Sequence, residues 1–162
     1  ILLHSGQVLE ANVVVTATGF NLSVLGDIRF AIDGQPLRFE QTVGYRGAMF
    51  TGVPNMAWVF GYFRASWTLR ADLLAGFVCR LLEHMDAKGA TVATPTLRAV
   101  DRGMALKPWV EPENFKPGYL ARGIDQLPRQ GTHQPWLHRQ DYAADKDELP
   151  RADLDDGALV FS

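Results

Sequence analysis

Ser66, Asp72 and His84 are the residue types of a hydroxyl nucleophile, an orienting carboxylate and a base. All three fall on one amphipathic stretch, where a helical rise of 1.5 Å per residue puts Ser66 and His84 about 27 Å apart. They cannot form a nucleophilic triad, which needs mutual hydrogen-bond reach. His133 and His138 stand five residues apart in a Pro-rich stretch, with His4 and His84 elsewhere, and this is not a metal-ligand spacing. The chain holds neither a GxGxxG nor a GxxxxGK[ST] phosphate loop. Arg46 is suited to a phosphate or carboxylate ligand, or to the commoner structural ion pair. No residue is assigned as catalytic, and no metal is expected.

The position best suited to hold a ligand is a joint of backbone. Residues 56–60 are a short apolar run between Pro54-Asn55 and Gly61, which reads as a buried strand. Ser66 then stands where an N-cap belongs. Leu69, Leu73, Phe77, Leu81 and Met85 follow at every fourth position, widened by Leu74, Val78 and Leu82, so a long helix with a broad apolar face is expected. Lys88 suits its last turn and Gly89 its C′ position. A strand running through Gly61 into a helix start gathers backbone N–H groups and a positive dipole end, which favours an anion or an electron-rich ring oxygen. An ordinary strand-to-helix turn without ligand has the same spacing, and spacing does not choose between them.

The rest of the chain must position this joint. Residues 1–3 and 7–10 flank His4-Ser5-Gly6 as a small hairpin. Val13-Val14-Val15-Thr16-Ala17-Thr18-Gly19-Phe20 reads as a fully buried strand whose small residues, Thr18 and Gly19, allow close approach. Residues 28–32 alternate as a half-buried strand that turns at Asp33-Gly34. Residues 45–50 read as extended. Beyond Gly89, Thr91-Val92 and residues 96–100 read as short strands. From residue 107 to 151, Pro108, Pro112, Pro117, Pro128, Pro135 and Pro150 forbid long elements. Trp109, Phe115, Tyr119, Leu120, Trp136 and Tyr142 are too many large side chains for a disordered tail, so an ordered extension is expected, with a helix near residues 140–148. Residues 158–161 read as a last strand.

The 162 residues, with 16 Lys+Arg against 18 Asp+Glu and a net charge of −2, give no basic surface for nucleic acid. The single Cys79 excludes an internal disulfide, fits a reducing (cytoplasmic) compartment and is read as a plain helix residue. No apolar run approaches a membrane span, and no signal peptide is evident. A first residue other than Met, inside what reads as a strand, suggests a fragment.

Two stretches carry a resemblance. Val13-Val14-Val15-Thr16-Ala17-Thr18-Gly19-Phe20 resembles the Ala-Thr-Gly strand near the end of two-dinucleotide-domain flavoproteins. Gly52-Val53-Pro54-Asn55, Gly61-Tyr62 and Ser66-Trp67-Thr68-Leu69-Arg70 resemble the closing segment of class B flavoprotein monooxygenases, the flavin-containing and Baeyer–Villiger enzymes, with the ethionamide-activating type nearest. Phe115-Lys116-Pro117-Gly118-Tyr119, Leu127-Pro128-Arg129-Gln130-Gly131 and Pro135-Trp136 are similar to that subgroup's C-terminal extension. The resemblance implies an α/β fold. Residues 1–100 would be the C-terminal portion of a Rossmann-like, three-layer ββα FAD-binding domain, and residues 101–162 a Pro- and aromatic-rich extension packed on it. It implies FAD, NADPH and O2: NADPH reduces the flavin, oxygen adds at its C4a carbon, and the (hydro)peroxide passes one oxygen to a small-molecule substrate, a ketone, sulfide, thioamide or amine.

By position, the resemblance implies that Gly61, Tyr62, Ser66, Trp67 and Thr68 face the flavin's pyrimidine edge. Thr18 and Gly19 would pass the cofactor by backbone contact. The family's nucleotide fingerprints and its catalytic arginine would lie in a missing N-terminal part of the same enzyme, and Asn12 stands where Asp is commoner. The chain by itself is therefore expected neither to hold FAD tightly nor to be active. Two other readings remain open: a segment of another two-domain flavoprotein oxidoreductase, and a non-catalytic interaction domain using its aromatic extension.

Overall fold

The helix at the centre of the chain forms as its sequence dictates. In the computed structural model, which describes residues 1–111, 113 and 117–162, helix α1 spans Trp67–Lys88. Ser66 Oγ accepts from Thr68 N–H at its start. At its end Gly89 adopts φ 66°, and the amides of Gly89 and Ala90 bond back to Asp86 and Met85. Its buried row is Arg70, Leu74, Phe77, Leu81 and Met85, whereas Leu82 stays exposed. Each of the four apolar members of that row contributes about 1.5–3 kcal/mol by burial.

Short antiparallel ladders surround α1, giving a mixed α/β fold with small sheets. Strands β1 (Ala31–Ile32) and β2 (Gln35–Pro36) pair through Asp33-Gly34, both at positive φ, the two-residue turn expected there. Strands β3 (Gly44–Tyr45) and β4 (Met49–Phe50) form a second hairpin, so the segment read as extended doubles back at Arg46-Gly47. Strand β5 (Ala93–Pro95) pairs with β8 (Leu159–Phe161), joining the end of the chain to the segment after α1. Strand β6 (Lys107–Pro108) pairs with β7 (Arg129–Gln130). Two short helices follow in the C-terminal third, α2 (Gly118–Gly123) and α3 (Tyr142–Glu148), the latter capped by Asp141.

The C-terminal residues are tied to the rest of the chain by charge as well as by apolar contact. Arg70 of α1 is buried against Asp145 of α3, and Tyr62 Oη donates to the same carboxylate at 2.6 Å. Arg80 donates to the carbonyls of Leu149, Pro150 and Ala152. Arg46 pairs with Asp156 at 2.9 Å, so it serves as a structural ion pair. Trp136 is buried in the cluster around Phe77 and Leu81. A second cluster joins Phe60, Trp109, Val110, Leu120 and Leu127.

Several local expectations are corrected. Residues 13–20 form no strand and are not buried: Val13 is 78%, Val15 85% and Phe20 63% exposed. A β-branched run becomes a strand only where another strand takes its hydrogen bonds, and none is supplied among the described residues. Residues 56–60 alternate between half-buried and exposed up to the buried Phe60 and are likewise not a strand. The strand expected at Thr91-Val92 begins at Ala93, and the one expected over residues 96–100 is replaced by a 3-10 turn at Ala99–Asp101. The strand over 28–32 is reduced to β1. The hairpin at the start is present as the Leu2–Val8 bridge. Pro112, Phe115 and Lys116 lie outside the described residues.

Candidate functional site

The joint between Gly61 and Thr68 is folded over itself. The Trp67 indole lies against Gly61, in the space a Cβ would fill, and is 53% exposed on its other side. Only glycine permits that approach. Tyr62 turns inward to Asp145 and Arg70, and burial lifts its phenol well above the ordinary range, so it stays protonated. Burial also lifts the Asp145 carboxyl, against the pull of Arg70. Ser66 and Thr68 are exposed at the rim, with their hydroxyls 2.7 Å apart.

The amides expected to be free are partly engaged. Phe63 N–H donates to Gln140 Oε1 at 2.9 Å, Thr68 N–H to Ser66 Oγ, and Leu69 N–H to the Ser66 carbonyl. Gln140 Nε2 also donates to the Gly61 carbonyl at 3.2 Å. The dipole end of α1 remains, but the joint is not a bare row of donors.

A cleft opens beside it. Its volume is about 280 Å³, and its walls include Phe63, Trp109, His138 and Gln140. A second hollow of about 220 Å³ continues past Phe63 to Arg64 and Asp141. His138 is stacked on the Trp109 indole, with ring centroids 3.9 Å apart and planes 14° apart. Burial and the nearby Arg70 push the His138 imidazole down to about 3, so it is neutral. The walls are mixed: Trp109 and His138, stacked on each other and almost wholly buried, are joined by Glu111, Gln130, Arg139 and Gln140. The Trp109 Nε1, buried and without a hydrogen-bond partner among the described residues, belongs to the same wall.

Thr18 and Gly19 are exposed, and open space surrounds the position of a Gly19 Cβ. The chain just after them does reach the cleft's apolar cluster. The Phe20 ring centroid lies 4.2 Å from that of Tyr119, its carbonyl accepts from Arg122, and Leu22 and Val24 pack against the cluster of Phe60, Trp109, Val110, Leu120 and Leu127. Among the described residues no group of three or more His, Cys, Asp or Glu side chains could hold a metal ion. No helix among them is long and apolar enough to cross a membrane. Sequence reasoning missed Arg70, Asp145, His138 and Gln140. Only Arg70 left a signal, a cation standing in the apolar row of α1.

No family model matches the chain, and no solved structure matches it. Curated relatives do. The FAD-containing monooxygenase EthA of Mycobacterium tuberculosis is 42% identical over 162 residues, covering 100% of this chain and 32% of that protein. The probable FAD-binding monooxygenase AlmA of Acinetobacter baylyi is 42% identical over 161 residues, 99% of this chain and 32% of that protein. EthA of Mycolicibacterium smegmatis is 40% identical over 162 residues, with 100% and 32% covered. The chain thus spans about a third of the length of the curated relatives it matches. Along its whole length, the chain is homologous to a segment of the FAD-containing monooxygenases.

Proposed function

We propose that the chain is the C-terminal part of an FAD-dependent, NADPH-consuming monooxygenase that places one oxygen atom from O2 into ketones or onto sulfur or nitrogen centres. The observation that carries this reading is the unbroken match of all 162 residues to proteins named for FAD. The flavin, when bound, supplies oxygen activation. This chain's part is to hold and shield. The α1 N-terminus with Ser66, Trp67 and Thr68 forms a polar rim whose dipole favours negative charge on a ring set against it. The Trp67 indole, seated on Gly61, offers a flat exposed face, and Tyr62 anchors the joint from behind through Asp145. Phe63, Trp109 and His138 supply the aromatic part of the adjoining cleft, whose lining also carries Glu111, Gln130, Arg139 and Gln140.

In the complete enzyme, residues 1–100 belong to a Rossmann-like, three-layer ββα FAD-binding domain, and residues 101–162 are the extension packed on it. Thr18 and Gly19 then pass the cofactor by their backbone, at the end of a strand that residues 13–20 form once other strands flank it. The cytoplasm suits a chain whose one cysteine, Cys79, is an exposed free thiol.

The test is to purify the full-length protein and measure retained flavin, NADPH oxidation and O2 uptake with a simple ketone and a sulfide. Expected are a yellow protein and products heavier by one oxygen atom, labelled from ¹⁸O2. A correctly folded full-length protein that neither retains FAD nor oxidises NADPH would refute the reading. The 162-residue chain purified by itself is expected to lose FAD on gel filtration.

A further inference from the structure

Gln140 makes three side-chain hydrogen bonds, and their directions are mutually determined. Its Oε1 accepts from Phe63 N–H, while its Nε2 lies 3.2 Å from the Gly61 carbonyl and 3.2 Å from His138 Nε2. His138 Nδ1 lies 2.9 Å from the Trp109 carbonyl, which can only accept, so Nδ1 carries the ring proton and Nε2 is left as an acceptor. The two Nε2 protons of Gln140 therefore go to Gly61 and His138. Turning the amide over would set Oε1 against the Gly61 carbonyl and leave Phe63 N–H without its acceptor, so only one orientation satisfies every partner. The backbone of His138 is held in turn by Gln130 Oε1 at 3.0 Å, and Gln130 Nε2 donates to the Pro108 and Trp109 carbonyls.

This chain of bonds runs from β6 and β7 through the Trp109–His138 stack to the Gly61–Phe63 backbone. Gln140 also lines both hollows that flank Phe63. Its side chain thus both fixes the joint and borders the space beside it. We infer that Gln140 is a positioning residue of the flavin site, clamping Gly61 and Phe63 from the extension and registering the joint to the Trp109–His138 stack. The inference rests on the proposed FAD site, and it makes the extension a working part of that site.

The experiment uses the full-length enzyme with Gln140→Met, which keeps the length of the side chain and removes all three bonds, and Gln140→Glu, which keeps only the bond from Phe63 N–H. Lys146→Ala on the exposed side of α3 is the control. Hydrogen exchange is followed over residues 61–68 in the FAD-free protein. FAD affinity and the visible absorption bands of the bound flavin are followed in the loaded one. Expected in Gln140→Met are exchange at Phe63 faster by about tenfold or more, an FAD Kd raised by a similar factor and displaced flavin bands. In Gln140→Glu, which keeps the acceptor for Phe63 N–H, exchange at Phe63 stays slow while the FAD Kd and the flavin bands still shift through the lost Gly61 and His138 bonds. The control and the exchange of the α1 core should be unchanged. If Gln140→Met fails to fold, Gln140→Glu carries the test through FAD affinity and the flavin bands, and unchanged values of both would overturn the inference.

Unchanged exchange at Phe63 in Gln140→Met would overturn the clamp. Faster exchange with unchanged FAD affinity and spectrum would overturn its role toward the flavin while leaving the proposed function standing. A wild-type enzyme that binds no flavin would remove the proposed function and this inference together.

Discussion

His138 is enclosed between the Trp109 indole and the edge of the Phe60 ring, with both nitrogens engaged. A charged imidazole there would lose its hydration and face Arg70, which is why its value falls from 6.5 to about 3. In the unfolded chain the same residue takes up a proton near its ordinary value. The folded state therefore holds its full stability above that value, and loses it as pH falls toward the folded one, by about 1.4 kcal/mol per pH unit. Other groups titrate too: Asp101 is held low chiefly by Arg98, and burial lifts Asp145. A comparison of wild type with His138→Phe, which keeps a flat ring on Trp109, cancels their contributions. Urea unfolding at a series of pH values between about 6 and 4 should show a steeper loss in the wild type by that amount per unit. Parallel slopes would mean that His138 is not buried as a neutral ring.

At the scale of elements, the Arg70–Asp145 contact decides whether α3 stays on α1. Both side chains are almost wholly buried, and each is the other's compensation. Arg70→Met leaves a carboxylate buried without its cation and should cost about 3–5 kcal/mol, whereas Arg70→Met with Asp145→Leu should recover much of it. Denaturant unfolding of the single and double variants measures this, and equal losses in both would show that the pair acts through packing alone. Gly89→Ala should cost about 1 kcal/mol, because φ 66° is strained for any residue with a Cβ. The contrast explains what was legible. Helix α1, its Ser66 and Gly89 ends, the Asp33-Gly34 turn and α3 behind Asp141 are written in neighbouring residues, so period and cap chemistry reveal them. Gln140 and Gly61, or Arg70 and Asp145, lie 79 and 75 positions apart, and no local pattern announces that they meet. The helix start behind Ser66 was therefore visible in the sequence, but the non-strand path of residues 56–60 and the Gln140 contact that holds Gly61 and Phe63 were not.

At the scale of the whole molecule, the apolar segment at residues 13–20 stands apart from everything α1 organises. Val13, Val14, Val15 and Phe20 are all largely exposed, a run that water-facing chain has no reason to keep. Under the proposed function these residues become a strand once the remaining two-thirds of the enzyme flanks them, and their exposure is a property of the chain taken by itself. Protease access separates the two situations, since cleavage reports segments that lack protective hydrogen bonds and burial. Thermolysin, which cuts before bulky apolar residues, should cleave the 162-residue chain first within residues 13–20. It should leave α1 and the ladder of β5 and β8 intact as a stable fragment. In the full-length, flavin-loaded protein the same bonds should resist cleavage under identical conditions, and removal of the flavin should weaken that resistance if Thr18 and Gly19 border it. Mass spectrometry of the first products decides the matter. Equal cleavage of residues 13–20 in both proteins would show that nothing in the complete enzyme covers them, and the strand, together with the cofactor contact assigned to Thr18 and Gly19, would have to be abandoned.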